Sequence, residues 1–499
     1  MTRRVRIGAG VAGLGYVLGA AIENMAILQS PLIGSTVADI RSAYADRALI
    51  VVTSLAGALA LLSYCVFAVG MFRVVRDGGR RSDNWASAGI VGGLVGPALA
   101  AIGLAASAPL VLDGGQGIAD HVARFLFDHY LDTRFVAGAY MAMFLLGIGI
   151  AALHSRALPS WLARLACAVA VLLALTPLAA FTGYQALQVA AGVAFGLHSV
   201  WILLVSLWLT LGEGVSLATL VRRAAFLMLV LAAGLVGIAM LAVPDSTGTF
   251  FSWGLEPGPL AAFAGGVYVG SAGVYAVAVT APWRQVRGLV IGAVVLSISV
   301  FAVTLAHLDV FDFHRLQAWA WVFLFAAFAL ITSALLIVAP REEERDGAPP
   351  LESWARVALA SIAGLLGALA LALWVDPAAL AGLSPFALPP LGGRFAGSWI
   401  AMLAVMAGWA ALRNSREEAR LPALCLVALP AGALLAAIRT MSDLDAGRTA
   451  GYLAGLALLV ALGVAVFAST RSAYRRDVPA RSARRSSIAS ASSALLSER

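Results

Sequence analysis

Apolar stretches of about twenty residues recur along the whole chain, separated by short polar segments. A stretch of that length crosses the hydrocarbon core of a bilayer as one helix. The pattern predicts spans at 7–27, 48–72, 86–111, 135–153, 165–183, 187–212, 224–243, 260–280, 288–306, 316–339, 357–375, 395–412, 421–438 and 449–470. Pro97 and Pro177 fall inside spans, where lipid-embedded helices tolerate proline as a kink. The expectation is an all-α polytopic transmembrane helix bundle of about 14 helices, with both ends on one side.

Arginine placement tests the spans independently, because cytoplasmic loops collect basic residues. With the N-terminus inside, 26 of the 34 arginines fall on the inner side, including seven in the tail from Arg471. The other 8 are Arg41, Arg47, Arg124, Arg134, Arg315, Arg394, Arg439 and Arg448, in outer loops that also carry 13 acids. One helix too many or too few would invert everything after it. Trp85, Trp161, Trp283 and Trp354 at inner helix ends, and Trp253 and Trp374 at outer ones, match an interfacial aromatic belt.

The second half repeats itself. FSWGLEPGPLAAFAGGVYVG from residue 251 resembles SPFALPPLGGRFAGSWIA from residue 384. Phe263 aligns with Phe395, Gly265 with Gly397, and Pro257 with Pro390 if one gap is allowed. The offset of 132 also carries three neighbouring spans onto three others. Two four-helix copies follow, and since four is even they form a parallel repeat. The expected organisation is a six-helix module at 1–220, repeats at 221–345 and 346–471, and an Arg/Ser-rich cytoplasmic tail at 472–499. GEGVSLATLVRR marks the first boundary, and REEERDGAPPLESWAR reads as a solvated linker. The tail has the composition of a disordered segment drawn to anionic headgroups.

Composition agrees. The chain of 499 residues is 61% hydrophobic and 12% charged, with mean hydropathy +0.91. Soluble domains run near 25% charged, so lipid is the solvent here. The formal net charge of +8 reports orientation, not nucleic-acid binding. Cys65, Cys167 and Cys425 sit singly inside spans, with no zinc or disulfide spacing. The positive start MTRRVR lacks a convincing cleavage site after it and reads as the entry to the first helix.

Few ionisable groups lie in the spans, and each is costly enough there to be a candidate site. They are Glu23 near the outer end of the first span and His198 near the middle of the sixth. A second candidate is an outer-face cluster. IADHVARFLFDHYLDTRF offers His121 and His129, with Asp120, Asp128 and Asp132, on a segment apolar enough to lie along the interface. HLDVFDFHR offers His307, Asp309, Asp312 and His314. Histidine with carboxylate can bind a transition metal, though no spacing here matches a metal motif, and polar loops wetted by water are the plainer explanation. The sequence holds no Walker, HExxH or GxSxG signature and no GxGxxG on a strand.

The FSWGLEPGPLAAFAGGVY and HLDVF segments resemble a group of bacterial membrane proteins of unassigned function, over about 224–470. The first part, with Tyr44, Ala45 and Asp46 in an outer segment, more loosely resembles membrane proteins of the DUF4386 type. The absence of lysine and the wealth of Ala and Gly suit a GC-rich, actinobacterial-type genome. Neither resemblance implies an activity or a cofactor. Three functional classes stay open: transport of a small or lipidic molecule across the cell membrane, a non-catalytic membrane scaffold, sensor or assembly factor, and a membrane enzyme using the outer His/Asp residues.

Overall fold

In lipid every backbone N–H and C=O must be satisfied within the chain, which leaves helices as the economical solution for these stretches. The structure, a computed structural model, describes residues 3–27, 35–45, 47–76, 80–113, 117–212, 215–313, 316–338, 349–380 and 382–470. Among them are fourteen helices long and apolar enough to cross a membrane, and no strand. The protein is a multi-pass helical membrane protein. The tail, residues 341–348 of the predicted linker and His314 lie outside the described residues.

The spanning helices are α1 (Arg3–Ile27), α2 (Arg47–Val75), α3 (Arg80–Ala106), α4 (Asp120–Ser155), α5 (Ser160–Thr182), α6 (Gln185–Leu211) and α7 (Leu217–Ala242). They continue with α8 (Gly258–Thr280), α9 (Trp283–Leu305), α10 (Leu316–Val338), α11 (Ser353–Val375), α12 (Pro390–Arg413), α13 (Arg416–Arg439) and α14 (Ala446–Thr470). The chain divides into two compact units, and the division falls inside α7. Unit 1 is Met1–Ala232 with Gly248–Trp253 and Asp309–Trp321; unit 2 holds the rest.

In unit 1, α1 lies between α2 and α6, α3 packs along α4, and α4 also meets α5. Along α1 the contacts run backwards through α6: Gly10 faces Ser206 and Thr210, and Gly13 faces Ile202 and Ser206. The two helices are therefore antiparallel. The segment expected to lie along the interface instead forms the first turns of α4, which continues unbroken for 36 residues. No proline occurs in it and no glycine before Gly138, so nothing stops the helix between Asp120 and the apolar stretch from Phe135. At 1.5 Å per residue α4 is about 54 Å long, well beyond a hydrocarbon core of about 30 Å.

In unit 2 the starts of α8 and α12 match each other. Pro257 caps α8 and Pro389 caps α12, an offset of 132 that needs no gap; Pro257 pairs with Pro389 instead of Pro390. A Cβ on Gly265 would meet Met240 Cβ at 2.8 Å and the Gly237 carbonyl at 2.9 Å; one on Gly397 would meet Leu373 Cβ at 3.0 Å and the Ala370 carbonyl at 3.3 Å. Met240 and Gly237 precede their counterparts Leu373 and Ala370 by the same 133 positions. Helix α8 packs on α13 while α12 packs on α9, so each segment's second helix meets the other's third.

Candidate functional site

In unit 2 charge is kept to the helix ends. Across α8 to α14 every described Asp, Glu and Arg within a helix stands within five residues of its end. Buried hydroxyls such as Ser271, Thr304 and Thr440 bond carbonyls of their own helices, at 2.8, 2.8 and 3.0 Å. Unit 1 is different. Arg134 is the fifteenth residue of α4 and His198 lies mid-way along α6.

Arg134 heads the apolar stretch of α4 and its guanidinium pairs with the carboxylate of Glu23 on α1. The same Nη1 donates to the Tyr130 hydroxyl at 2.8 Å, one turn back on α4. Glu23 and Tyr130 are buried, and a quarter of the Arg134 side chain is exposed. Room for the carboxylate comes from Gly57 on α2, where an added Cβ would lie 2.6 Å from Glu23 Cδ. The full set of donors and acceptors around a buried pair decides whether it is tolerated, and here Tyr130 takes a second guanidinium hydrogen.

Above the pair, a short helix Val37–Ala43 packs on α4. Its capping residue Tyr44 is buried beside Ser107, whose hydroxyl donates to the Leu104 carbonyl at 2.8 Å. Burial raises the Tyr44 phenol above its ordinary range. Arg41 ties this helix down by donating to Asp120 at 2.6 Å and to the Ile118 carbonyl at 2.8 Å. Arg124 donates to the Ser35 carbonyl.

Inward from Glu23 the polar groups continue along α1. Tyr16, seven residues or about 10 Å further in, lies beside Ser199 on α6. Next to Ser199 is His198, fully buried between the rings of Tyr16 (5.8 Å) and Tyr64 (5.4 Å). Tyr64 leads on to Phe67, Phe144 and Trp201. The expected candidates Glu23 and His198 thus lie along one line in unit 1, with Arg134 and Tyr130 around the first and Tyr16, Tyr64 and Ser199 around the second.

Beside this line an apolar groove of about 620 Å³ runs between α2, α3 and the Ala108–Asp113 turn. Leu55, Leu62, Leu94 and Leu112 on its walls are exposed. Leu104 and Val111 line the groove and also belong to the core around Tyr130. The volume falls in the range of small-molecule sites, about 300–1,000 Å³.

The His/Asp candidates are placed otherwise. His121 is exposed in the first turn of α4, and His129 stacks on Phe125 with centroids 5.8 Å apart. Asp120 is paired with Arg41, while Asp128 and Asp132 are half-buried on α4. Asp309 and Asp312 are exposed residues of unit 1. His307 belongs to unit 2, where Arg394 donates to its Nε2 at 2.9 Å. A guanidinium only donates, so Nδ1 carries the hydrogen and donates to the Val303 carbonyl at 2.9 Å. Among the described residues, no group of three or more His, Cys, Asp or Glu is arranged to hold a metal ion.

Arg134 was hidden in the sequence among outer-loop arginines. The available signal was its exception to the inner bias together with Tyr130 four residues before it, on the same helix face. Compared with family models, curated proteins and solved structures, the chain finds no match.

Proposed function

We propose that the protein transports a small amphipathic molecule, with unit 1 as the binding unit. Glu23, Arg134 and Tyr130 engage its polar end and the groove along α2 and α3 takes its apolar part. The observation that carries this reading is a guanidinium–carboxylate pair buried at the mouth of a membrane bundle, sharing wall residues with an apolar groove. Charge in that setting is expensive to keep and is a functional candidate by default. The 26-to-8 arginine split supports a cell-membrane protein with both termini cytoplasmic. The resemblance to actinobacterial-type membrane proteins belongs to the same proposal. Unit 2, with no charge deep in its helices, suits a scaffold role, and this favours a scaffold as the second reading of the whole chain.

The test is native mass spectrometry of the full chain released from lipid nanodiscs. One amphiphile should be retained at a one-to-one ratio, and Arg134→Gln or Ala98→Phe in the groove wall should each cut its retention about tenfold, equivalent to 1.4 kcal/mol. An empty wild-type protein, or equal retention in both variants, would leave the scaffold reading in its place.

A further inference from the structure

Buried hydrogen-bonding atoms almost always find partners. Three side chains along one seam of unit 1 do not. Neither ring nitrogen of His198, nor the Tyr64 hydroxyl, nor the Ser206 hydroxyl has a hydrogen-bond partner among the described residues. All three side chains are fully buried. They lie where α1, α2 and α6 meet, two turns and more inward from Glu23.

The packing restricts what these atoms can receive. Tyr16 and Tyr64 stand 5.1 Å apart by ring centroid, and the imidazole fills the remaining corner. Phe67, Phe144 and Trp201 close the far side. No organic ligand enters such a cluster, whereas a proton does. Histidine is also the side chain whose ordinary charge change lies near neutral pH.

We infer that His198 is the proton-binding site coupled to the transport proposed above, reached past Tyr16 and Ser199 from the end where Glu23 and Arg134 stand. The inference rests on that transport reading. The titratable groups facing the imidazole are Tyr16 from α1 and Tyr64 from α2; α4 enters the ring cluster through Phe144. Further out, Glu23 on α1 and Arg134 on α4 are paired and oppose each other. The imidazole accepts a proton on its lone-pair nitrogen and later releases one from the other nitrogen, so one N–H bond forms and one breaks.

A charged ring is costly in this sealed seam. The closed arrangement therefore holds neutral imidazole, and protonation favours arrangements in which α1 and α6 part and hydroxyls turn toward the ring. Proton binding and opening of the seam are one equilibrium.

The experiment uses the full chain in nanodiscs, with ¹⁵N-histidine spectra and amide exchange recorded between pH 8 and pH 5. The His198 signal, assigned by its loss in His198→Gln, should pass from neutral to imidazolium. Exchange of residues 13–20 and 194–202, corrected for the intrinsic rate, should rise about tenfold for each pH unit over which one proton is taken up. His198→Phe keeps the ring packing and should remove the rise; His198→Gln serves if that variant does not fold. If neither folds, the wild-type exchange decides. A His198 that stays neutral to pH 5, exchange that does not change, or the same rise in the variants overturns the inference. None of these readouts needs a transported molecule. A titrating His198 in a protein that retains no amphiphile would sink the transport reading alone and leave a proton-gated seam.

Discussion

Gly266 on α8 and Gly432 on α13 cross so closely that a Cβ added to either would overlap the carbonyl oxygen of the other. Backbones approach this way in membranes because packing, not water exclusion, holds helices together. Gly432→Ala should therefore destabilise unit 2 by about 1–3 kcal/mol, the usual cost of overpacking. Gly273→Ala on the same helix α8 meets nothing within 4 Å and should be tolerated. Unfolding in mixed micelles, followed by intrinsic fluorescence, separates the two; equal loss in both variants would show that the crossing is not tight.

Glu23→Gln leaves the Arg134 guanidinium without its counter-charge. Breaking one partner of a buried pair costs about 3–5 kcal/mol, and the lower end is expected here because a quarter of the Arg134 side chain is exposed. Glu23→Gln with Arg134→Gln should recover part of that loss. A double-mutant cycle on thermal stability in detergent measures it, and additive single effects would mean the pair is not coupled.

Lipid makes the spans legible: each must be long, apolar and helical, so hydropathy and arginine placement locate fourteen of them. The likeness of α8 to α12 was legible in part: Gly265 was set against Gly397, whereas Pro257 was set against Pro390 although Pro389 holds its place as cap. The joining of Glu23 to Arg134 was not, since 111 positions separate them and only the packing of α1 on α2 and the course of α4 bring them together. His198 was visible as an ionisable residue in a span. That Tyr16 and Tyr64 enclose it and leave its nitrogens unpartnered depends on three helices meeting, which no local pattern encodes. The first turns of α4 were read as a separate interfacial segment because their polarity outweighed the absence of a helix breaker.

Asp39 and Thr36 form a reciprocal cap on the short helix Val37–Ala43. Thr36 donates to the Asp39 carboxylate through its hydroxyl at 2.6 Å and its backbone N–H at 3.0 Å, and the Asp39 N–H returns to the Thr36 hydroxyl at 3.2 Å. The Thr36 hydroxyl, then its backbone N–H, hold the Asp39 carboxyl below its ordinary value. A lowered folded-state value means the stabilisation is present above the unfolded value of about 3.9 and is lost as pH falls through the folded one. Exchange of residues 37–43 should therefore be flat from pH 7 to pH 5 after intrinsic correction and accelerate below about pH 4. Thr36→Ala should loosen this helix by about 1 kcal/mol and remove most of the acid step. A variant that keeps the full step would assign it to another carboxylate.

The arginine split makes a topological prediction that labelling can read. Single cysteines at Asp245, Asp312 and Asp346 are introduced with Cys65, Cys167 and Cys425 replaced by alanine. An impermeant maleimide should label Asp245→Cys and Asp312→Cys in intact cells, and Asp346→Cys only after lysis. Positions 245 and 312 bracket α8 and α9, so their agreement tests an even number of crossings between them. Only α10 crosses between 312 and 346, so their disagreement tests a single one. Reversal of all three would keep the helix count and turn the protein over, placing 26 of its 34 arginines outside against the positive-inside bias. A split between 245 and 312 would instead mean that α8 or α9 does not cross, which their apolar lengths of 23 residues each argue against.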